Sequence, residues 1–114
     1  MTIHKIVALI HGTILSGKPG VEDVVEYCFA SDLMSDVLTV CRCDFMLITG
    51  LANLQSIRTA EMSDLKYILL VRGKTPSQEM IDLAEESGMV LIVSPYSMFK
   101  ASGILYQAGM KGVF

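Results

Sequence analysis

The sequence predicts a three-layer α/β domain, a mainly parallel sheet flanked by helices, and three observations carry that prediction. The first is the stretch 66–94, which reads KYILLV, then RGKTPSQEMIDLAEESG, then MVLIVS. Two short apolar runs without polar alternation, as in strands buried on both faces, surround a segment with helical spacing. A strand, helix and strand this closely spaced close as a right-handed crossover onto a parallel neighbour. The second observation is that strand and helix signals alternate four times along the chain after a leading helix. The third is size: 114 residues, 52% of them hydrophobic, make one domain spanning 1–114 with enough apolar mass for a real core.

Each element has its own signal. Thr2 is placed to cap a short helix whose apolar face is Ile3, Ile6, Val7 and Ile10, with Gly12 closing it. Thr13–Ser16 reads as a short extended piece, and Gly17-Lys18-Pro19-Gly20 as a turn cluster. That glycine-lysine pair lacks the leading glycine and the following Ser or Thr of a P-loop. Residues 24–30 read as a strand. Ser31-Asp32 then offers a cap to a helix with Leu33, Met34, Val37 and Leu38 on one face. Phe45–Thr49 is a buried strand ending at the Gly50 turn, and Asn53 caps a helix with Leu54, Ile57 and Ala60 inward and Arg58, Glu61 and Asp64 toward water.

In the central unit the strand is 66–71, and Thr75 is the expected N-cap, with Pro76 at the first helical position and Gln78 completing a capping box. Met80, Ile81, Leu83 and Ala84 form that helix's apolar face, Gly88 stops it, and 89–93 is the next strand. Ser94-Pro95 is expected to open the last helix, with Met98, Ala101, Leu105 and Ala108 inward and Gly109 at its end. Gly103 in its middle costs about 1 kcal/mol against alanine, which points to close packing against another backbone.

Composition narrows the function classes. No apolar run reaches the roughly 18 residues of a membrane span, and the opening MTIHKIVALIHG lacks the features of a secretion signal, so a cytoplasmic protein is expected. Three cysteines, an odd count, provide no disulfide framework and suit a reducing compartment. Cys41 and Cys43 form a C-x-C, but Cys28, His4 and His11 do not complete zinc-ligand spacing, so neither metal nor cofactor is expected. A net charge of -3 without clustered Lys or Arg argues against nucleic acid, and no membrane partner is expected. No histidine lies near a strand end and no cysteine has an evident histidine partner, so no catalytic residues are assigned and an enzyme is not expected. Asp32 and Asp36 stand i,i+4 in a first helical turn, where carboxylates usually stabilise the helix dipole. Excess apolar residues with a positive mean hydropathy call for a second buried surface, and a homodimer is expected.

In parallel sheets ligands gather beyond the carboxyl ends of the strands. The residues there are Ser31, Asp32, Thr49, Gly50, Arg72, Gly73 and Ser94, with Asn53 close behind. Most lead into helix N-termini, which suit an anion such as phosphate, and Arg72 and Lys74 add positive charge. The candidate ligand site is therefore Ser31, Asp32, Thr49, Gly50, Asn53, Arg72 and Gly73.

The segments ASDLMSDVL, LITGLANLQSIRTAEM, ILLVRGKTPSQEMIDLAEESG and SPYSMFKASGILYQAG resemble a DRTGG domain, and the resemblance covers essentially the whole chain. In particular the chain resembles the stand-alone form found in clostridial and similar anaerobic bacteria. Related domains are embedded in phosphotransacetylases and in CBS-domain inorganic pyrophosphatases, and the N-terminal domain of HPr kinase/phosphorylase has a similar fold. The resemblance implies a non-catalytic regulatory domain that self-associates and senses a small anionic metabolite or nucleotide. The alternative it leaves open is a purely structural interaction module docking on a partner enzyme or signalling protein. Two departures stand out. The family's T-G-G turn before a proline is here Val71-Arg72-Gly73 with Pro76 retained, and the D-R pair has no clean counterpart after Gly50, Asn53 standing nearest to the aspartate.

Overall fold

The computed structural model describes every residue from 1 to 114. Its elements run α1 (Ile3–Leu9), β1 (Thr13–Ser16), β2 (Tyr27–Ala30), α2 (Met34–Leu38), β3 (Phe45–Thr49), α3 (Leu54–Met62), β4 (Tyr67–Leu70), α4 (Gln78–Glu86), β5 (Val90–Val93), α5 (Met98–Gln107) and β6 (Lys111–Gly112). They build one six-stranded sheet in the order β1-β5-β4-β3-β2-β6. β2 to β5 are parallel in sequence order, while β1 lies antiparallel on β5 as one edge, with its register broken between Ile14 and Ser16.

The order of the strands decides where the helices go. Three right-handed crossovers stepping the same way across the sheet place α2, α3 and α4 on one face. α5 instead leaves β5 and returns to the far edge, where β6 pairs parallel with β2, so it lies on the opposite face with α1. The strands feed both layers by their two-residue period. Phe45, Leu47, Ile68, Leu70 and Leu91 pack against Met34, Val37, Ile57, Ala60, Met80 and Ala84. Met46, Ile48, Leu69, Val71 and Ile92 pack against Ile3, Ile6, Ile10, Ala101 and Leu105. All residues of β3 are buried, which is why its sequence shows no alternation. The three-layer, mainly parallel architecture is as expected from the sequence.

Several boundaries differ from the sequence reading, and each for a local reason. The strand expected over 24–30 begins only at Tyr27; Val24 makes a single bridge to Thr2 and is half exposed. Ser31 and Asp32 do not cap α2. Leu33 holds the N-cap position without a side-chain bond, the Ser31 hydroxyl accepts from Leu33 N, and Asp32 reaches across to the next strand. Met34 and Val37 are buried, but Leu33 and Leu38 face water. Ser77, not Thr75, caps α4 through Met80 N at 3.2 Å, so Pro76 precedes the cap and Gln78 is the first helical residue. Ser97, not Ser94, caps α5 through Lys100 N at 3.1 Å, because the Ser94 hydroxyl is committed to Ile10 O at 2.7 Å. α1 closes through His11, which takes φ 50°, rather than through Gly12. Ala108 is exposed rather than inward. Gly103 does not approach another backbone of the chain: a Cβ there would have nothing within 4 Å. β6 carries no sequence signal, being two exposed residues. Thr2 and Asn53 do cap α1 and α3, and Gly88 and Gly109 take positive φ at the ends of α4 and α5.

Candidate functional site

The helix following β4 and the helix following β5 go to opposite faces, the arrangement that opens a ligand crevice in many α/β sheets. Here the two loops close it. Arg72 N donates to Tyr96 O at 2.7 Å and Gly73 N to Ser94 O at 3.0 Å. The half-exposed charged side chains of the carboxyl rim, Arg72 and Asp32, lie one strand over, near the ends of β3 and β4.

Asp32 is the hub of that region. Its Oδ1 accepts from Gly50 N at 2.6 Å and from the Thr49 hydroxyl at 3.0 Å, while Thr49 Oγ1 accepts in turn from Leu51 N at 3.2 Å. These bonds hold the β3 exit rigidly against the loop after β2. Arg72 is held far more loosely. Its Nη2 stands 3.9 Å from Asp32 Oδ2 and 3.5 Å from Gly50 O, and the two charged side chains are 52% and 49% exposed. Most of its N–H groups have no protein acceptor and face solvent, ready for a planar bidentate partner. The guanidinium lies on the Gly50 α-carbon, since a Cβ there would come 2.6 Å from Nη2 and 2.8 Å from Nε.

The backbone beneath Arg72 is unusual. Arg72 and Gly73 have φ of 67° and 65° in succession, so the turn uses two left-handed residues. Glycine adopts that conformation freely, whereas an L-residue with a Cβ is disfavoured by roughly 1–2 kcal/mol. The position where the resemblance expects the first glycine of the T-G-G turn is therefore one that geometry reserves for glycine, and this chain places an arginine on it.

Of the seven candidate residues, Asp32, Thr49, Gly50 and Arg72 form one contiguous group. Ser31 sits beside it, its N–H on Ile48 O at 3.0 Å. Asn53 and Gly73 are bonded elsewhere, to Ser56 N and Ser94 O. Of the helices that follow these strands, α2 has five residues and no side-chain cap, whereas α3 is capped by Asn53 and α4 and α5 by Ser77 and Ser97. Tyr96 escaped the sequence reading, although it shapes the neighbouring loop through its carbonyl, its contact with His11 at 5.4 Å and the Lys100 ammonium 4.0 Å from its ring. Its only signal was an aromatic residue shortly after a strand.

The opposite end of the sheet holds a second carboxylate cluster. Asp23 accepts from Lys66 Nζ at 2.8 Å, the Tyr67 hydroxyl at 2.7 Å and Gly20 N at 2.6 Å. The Lys66 bond, followed by those from Tyr67 and Gly20, holds the Asp23 carboxyl well below the usual carboxylate range. Burial pushes the Cys28 thiol up to about 12, keeping it protonated, while Cys41 and Cys43 are free and exposed, and no group of three or more His, Cys, Asp and Glu is placed to hold a metal ion. No helix is long and apolar enough to cross a membrane.

Comparison with known proteins adds three findings. Residues 5–108 match the DRTGG domain. The cobalt-dependent inorganic pyrophosphatase of Clostridium perfringens (strain 13 / Type A) is 39% identical over 51 residues, which is 43% of this chain and 9% of the enzyme. The crystal structure of the CBS and DRTGG domains of the regulatory region of Clostridium perfringens pyrophosphatase, complexed with the activator diadenosine tetraphosphate, superposes with a TM-score of 0.74 at 17% identity, covering 96% of this chain and 47% of that one. The chain thus aligns with under a tenth of the enzyme and about half of the solved regulatory region.

Proposed function

We propose that this chain, which belongs to the DRTGG domain family, is a non-catalytic cytoplasmic regulatory domain that self-associates and senses a small anionic metabolite or nucleotide at its carboxyl rim. The observation that carries the reading is Arg72: a half-exposed guanidinium with spare donors, held on a left-handed backbone position that glycine would occupy without strain. A residue kept in a costly conformation at a strand end fits a functional demand on its side chain better than a demand of folding. Phosphate oxygens are the acceptors a planar guanidinium recognises in pairs, and the solved relative's regulatory region is a complex with a dinucleoside polyphosphate activator. In this reading the ligand meets Arg72, Asp32 and Gly50, with Ser31 beside them and buried Thr49 beneath, while Asn53 and Gly73 belong to the flanking loops. Asp32 is the internal counter-ion from which an arriving anion takes the guanidinium, while its bonds to Gly50 and Thr49 keep the rim in shape.

The alternative, a purely structural module docking on a partner enzyme or signalling protein, is favoured by one observation, the nearly uncharged outer surface of α5. A thermal-shift screen against nucleotides and phosphorylated metabolites, diadenosine tetraphosphate included, separates the two. A ligand that binds only the folded state raises the melting temperature by an amount that grows with the logarithm of its concentration above Kd, and the sensing reading expects at least one concentration-dependent rise. A flat response across the panel rejects sensing and leaves the interaction module.

A further inference from the structure

α5 does not look like a helix that ends at solvent. Its residues MFKASGILYQ include one charged side chain, Lys100, and that one is folded over the Tyr96 ring. α4, by contrast, reads QEMIDLAEE and carries acids along its outer face, the usual pattern for a surface helix. Phe99 and Tyr106, two turns apart on one flank of α5, are 91% and 77% exposed. Gly103 lies between them with open space around it. Beside Tyr106, between α5 and the β2–β6 edge of the sheet, a cavity of about 150 Å³ is lined by Cys28, Ala30, Ile48, Ser102, Leu105 and Met110 among others. The Ser102 hydroxyl is buried without a partner. Size decides what such a cavity takes. Metabolite and cofactor sites run about 300–1,000 Å³, whereas an apolar cavity of this size holds one benzene-sized ring.

We propose that this flank of α5 is the self-association surface, occupied by α5 of a second copy running antiparallel, with Phe99 of each copy seated in the cavity of the other. The proposal rests on the self-association reading above and gives it a location. A two-fold interface uses the same patch twice, so the patch must hold both the projection and the recess that receives it. Phe99 lies four residues before Gly103 and Tyr106 three after it, so a two-fold axis beside Gly103 sets each Phe99 opposite the other copy's Tyr106 and the adjoining cavity. The missing side chain at Gly103 lets the two backbones approach where they cross. Area is adequate. Each aromatic side chain buries about 150–250 Å², so the four from two copies, with the strip between them, bring the total to about 1,000 Å², where specific interfaces begin.

Light scattering across micromolar to millimolar concentration, on the parent and on Phe99→Asp, tests this, with circular dichroism verifying that the variant is folded. The parent is expected to approach twice the 12.5 kDa of one chain. Phe99→Asp is expected to remain at the single-chain mass, a loss of more than about thirtyfold in dimer affinity, as for a buried aromatic hot spot. Gly103→Leu, a substitution that an isolated helix tolerates well, is expected to weaken the dimer alike. A parent dimer matched by an equally tight Phe99→Asp and Gly103→Leu dimer overturns this surface while leaving self-association standing. A parent that stays monomeric to millimolar concentration overturns both.

Discussion

Asp23 and Asp32 gather donors at the two ends of the same parallel strands, and they are built differently. Asp23 takes Lys66 Nζ at 2.8 Å, the Tyr67 hydroxyl at 2.7 Å and Gly20 N at 2.6 Å, and its side chain is 14% exposed. Asp32 takes the Gly50 and Thr49 donors closely, but its cation stands off at 3.9 Å and the carboxylate is 49% exposed. At the amino end the Asp23 carboxylate is engaged on three sides in joining the 17–26 loop to β4, with its cation in direct contact although the Lys66 side chain is itself 54% exposed. At the carboxyl end the carboxylate is engaged and the guanidinium is largely free. The lesson is that two clusters of equal charge differ in how the cation is held, in contact at 2.8 Å in one and standing off at 3.9 Å in the other, and only the second leaves its cation loosely tied.

The comparison can be broken first at Asp23. Asp23→Ala strips acceptors from Lys66, Tyr67 and Gly20 together and is expected to lower thermal stability more than any rim substitution, with the ligand response intact. Acid provides an independent check. The folded Asp23 carboxyl sits below its ordinary value of 3.8, so in that window the unfolded chain binds the extra proton and stability falls as pH falls. The advantage of the parent over Asp23→Ala is therefore expected to be full above pH 3.8 and to shrink below it; a constant gap across acid pH contradicts the assignment. At Arg72 the expected effect on folding is smaller and depends on the replacement. Arg72→Gly relieves the left-handed strain and Arg72→Ala does not, so chemical denaturation is expected to favour the glycine variant by about 1 kcal/mol. Equal stabilities would mean that the turn is not strained. Gly50→Ala is expected to change stability least, by under about 0.5 kcal/mol, because the crowded atoms belong to the movable end of Arg72. It is nonetheless expected to weaken nucleotide binding in titration calorimetry by dislodging the guanidinium.

The sheet was legible because its strands are apolar runs: 45–49 and 68–70 are buried on both faces, and burial on both faces leaves one pattern in sequence. The caps were less legible, for a reason that concerns particular hydroxyls. Each loop offers two candidates, Thr75 and Ser77 before α4, Ser94 and Ser97 before α5, and the choice depends on contacts made elsewhere; Ser94 is taken by Ile10 O, far away in sequence. β6 was invisible because two exposed residues pair only where β2 happens to present a free edge. At the rim, Arg72 was legible as the cation directly after a strand. Its left-handed φ and its pairing with Asp32 were not, since Asp32 meets Thr49 and Gly50 only through the β2–β3 crossover.

The central claim, that the carboxyl-rim cluster binds and the amino-end cluster only holds, is tested most directly by one measurement made on three proteins. It is the rise in melting temperature on adding diadenosine tetraphosphate to the parent, Asp23→Ala and Arg72→Ala. Asp23→Ala is expected to melt lower than the parent yet keep the parent's rise. Arg72→Ala is expected to melt close to the parent and lose most of the rise, corresponding to about 2 kcal/mol, or roughly thirtyfold in affinity, for a charge-assisted hydrogen bond. An undiminished rise in Arg72→Ala, or no rise in the parent, contradicts the account.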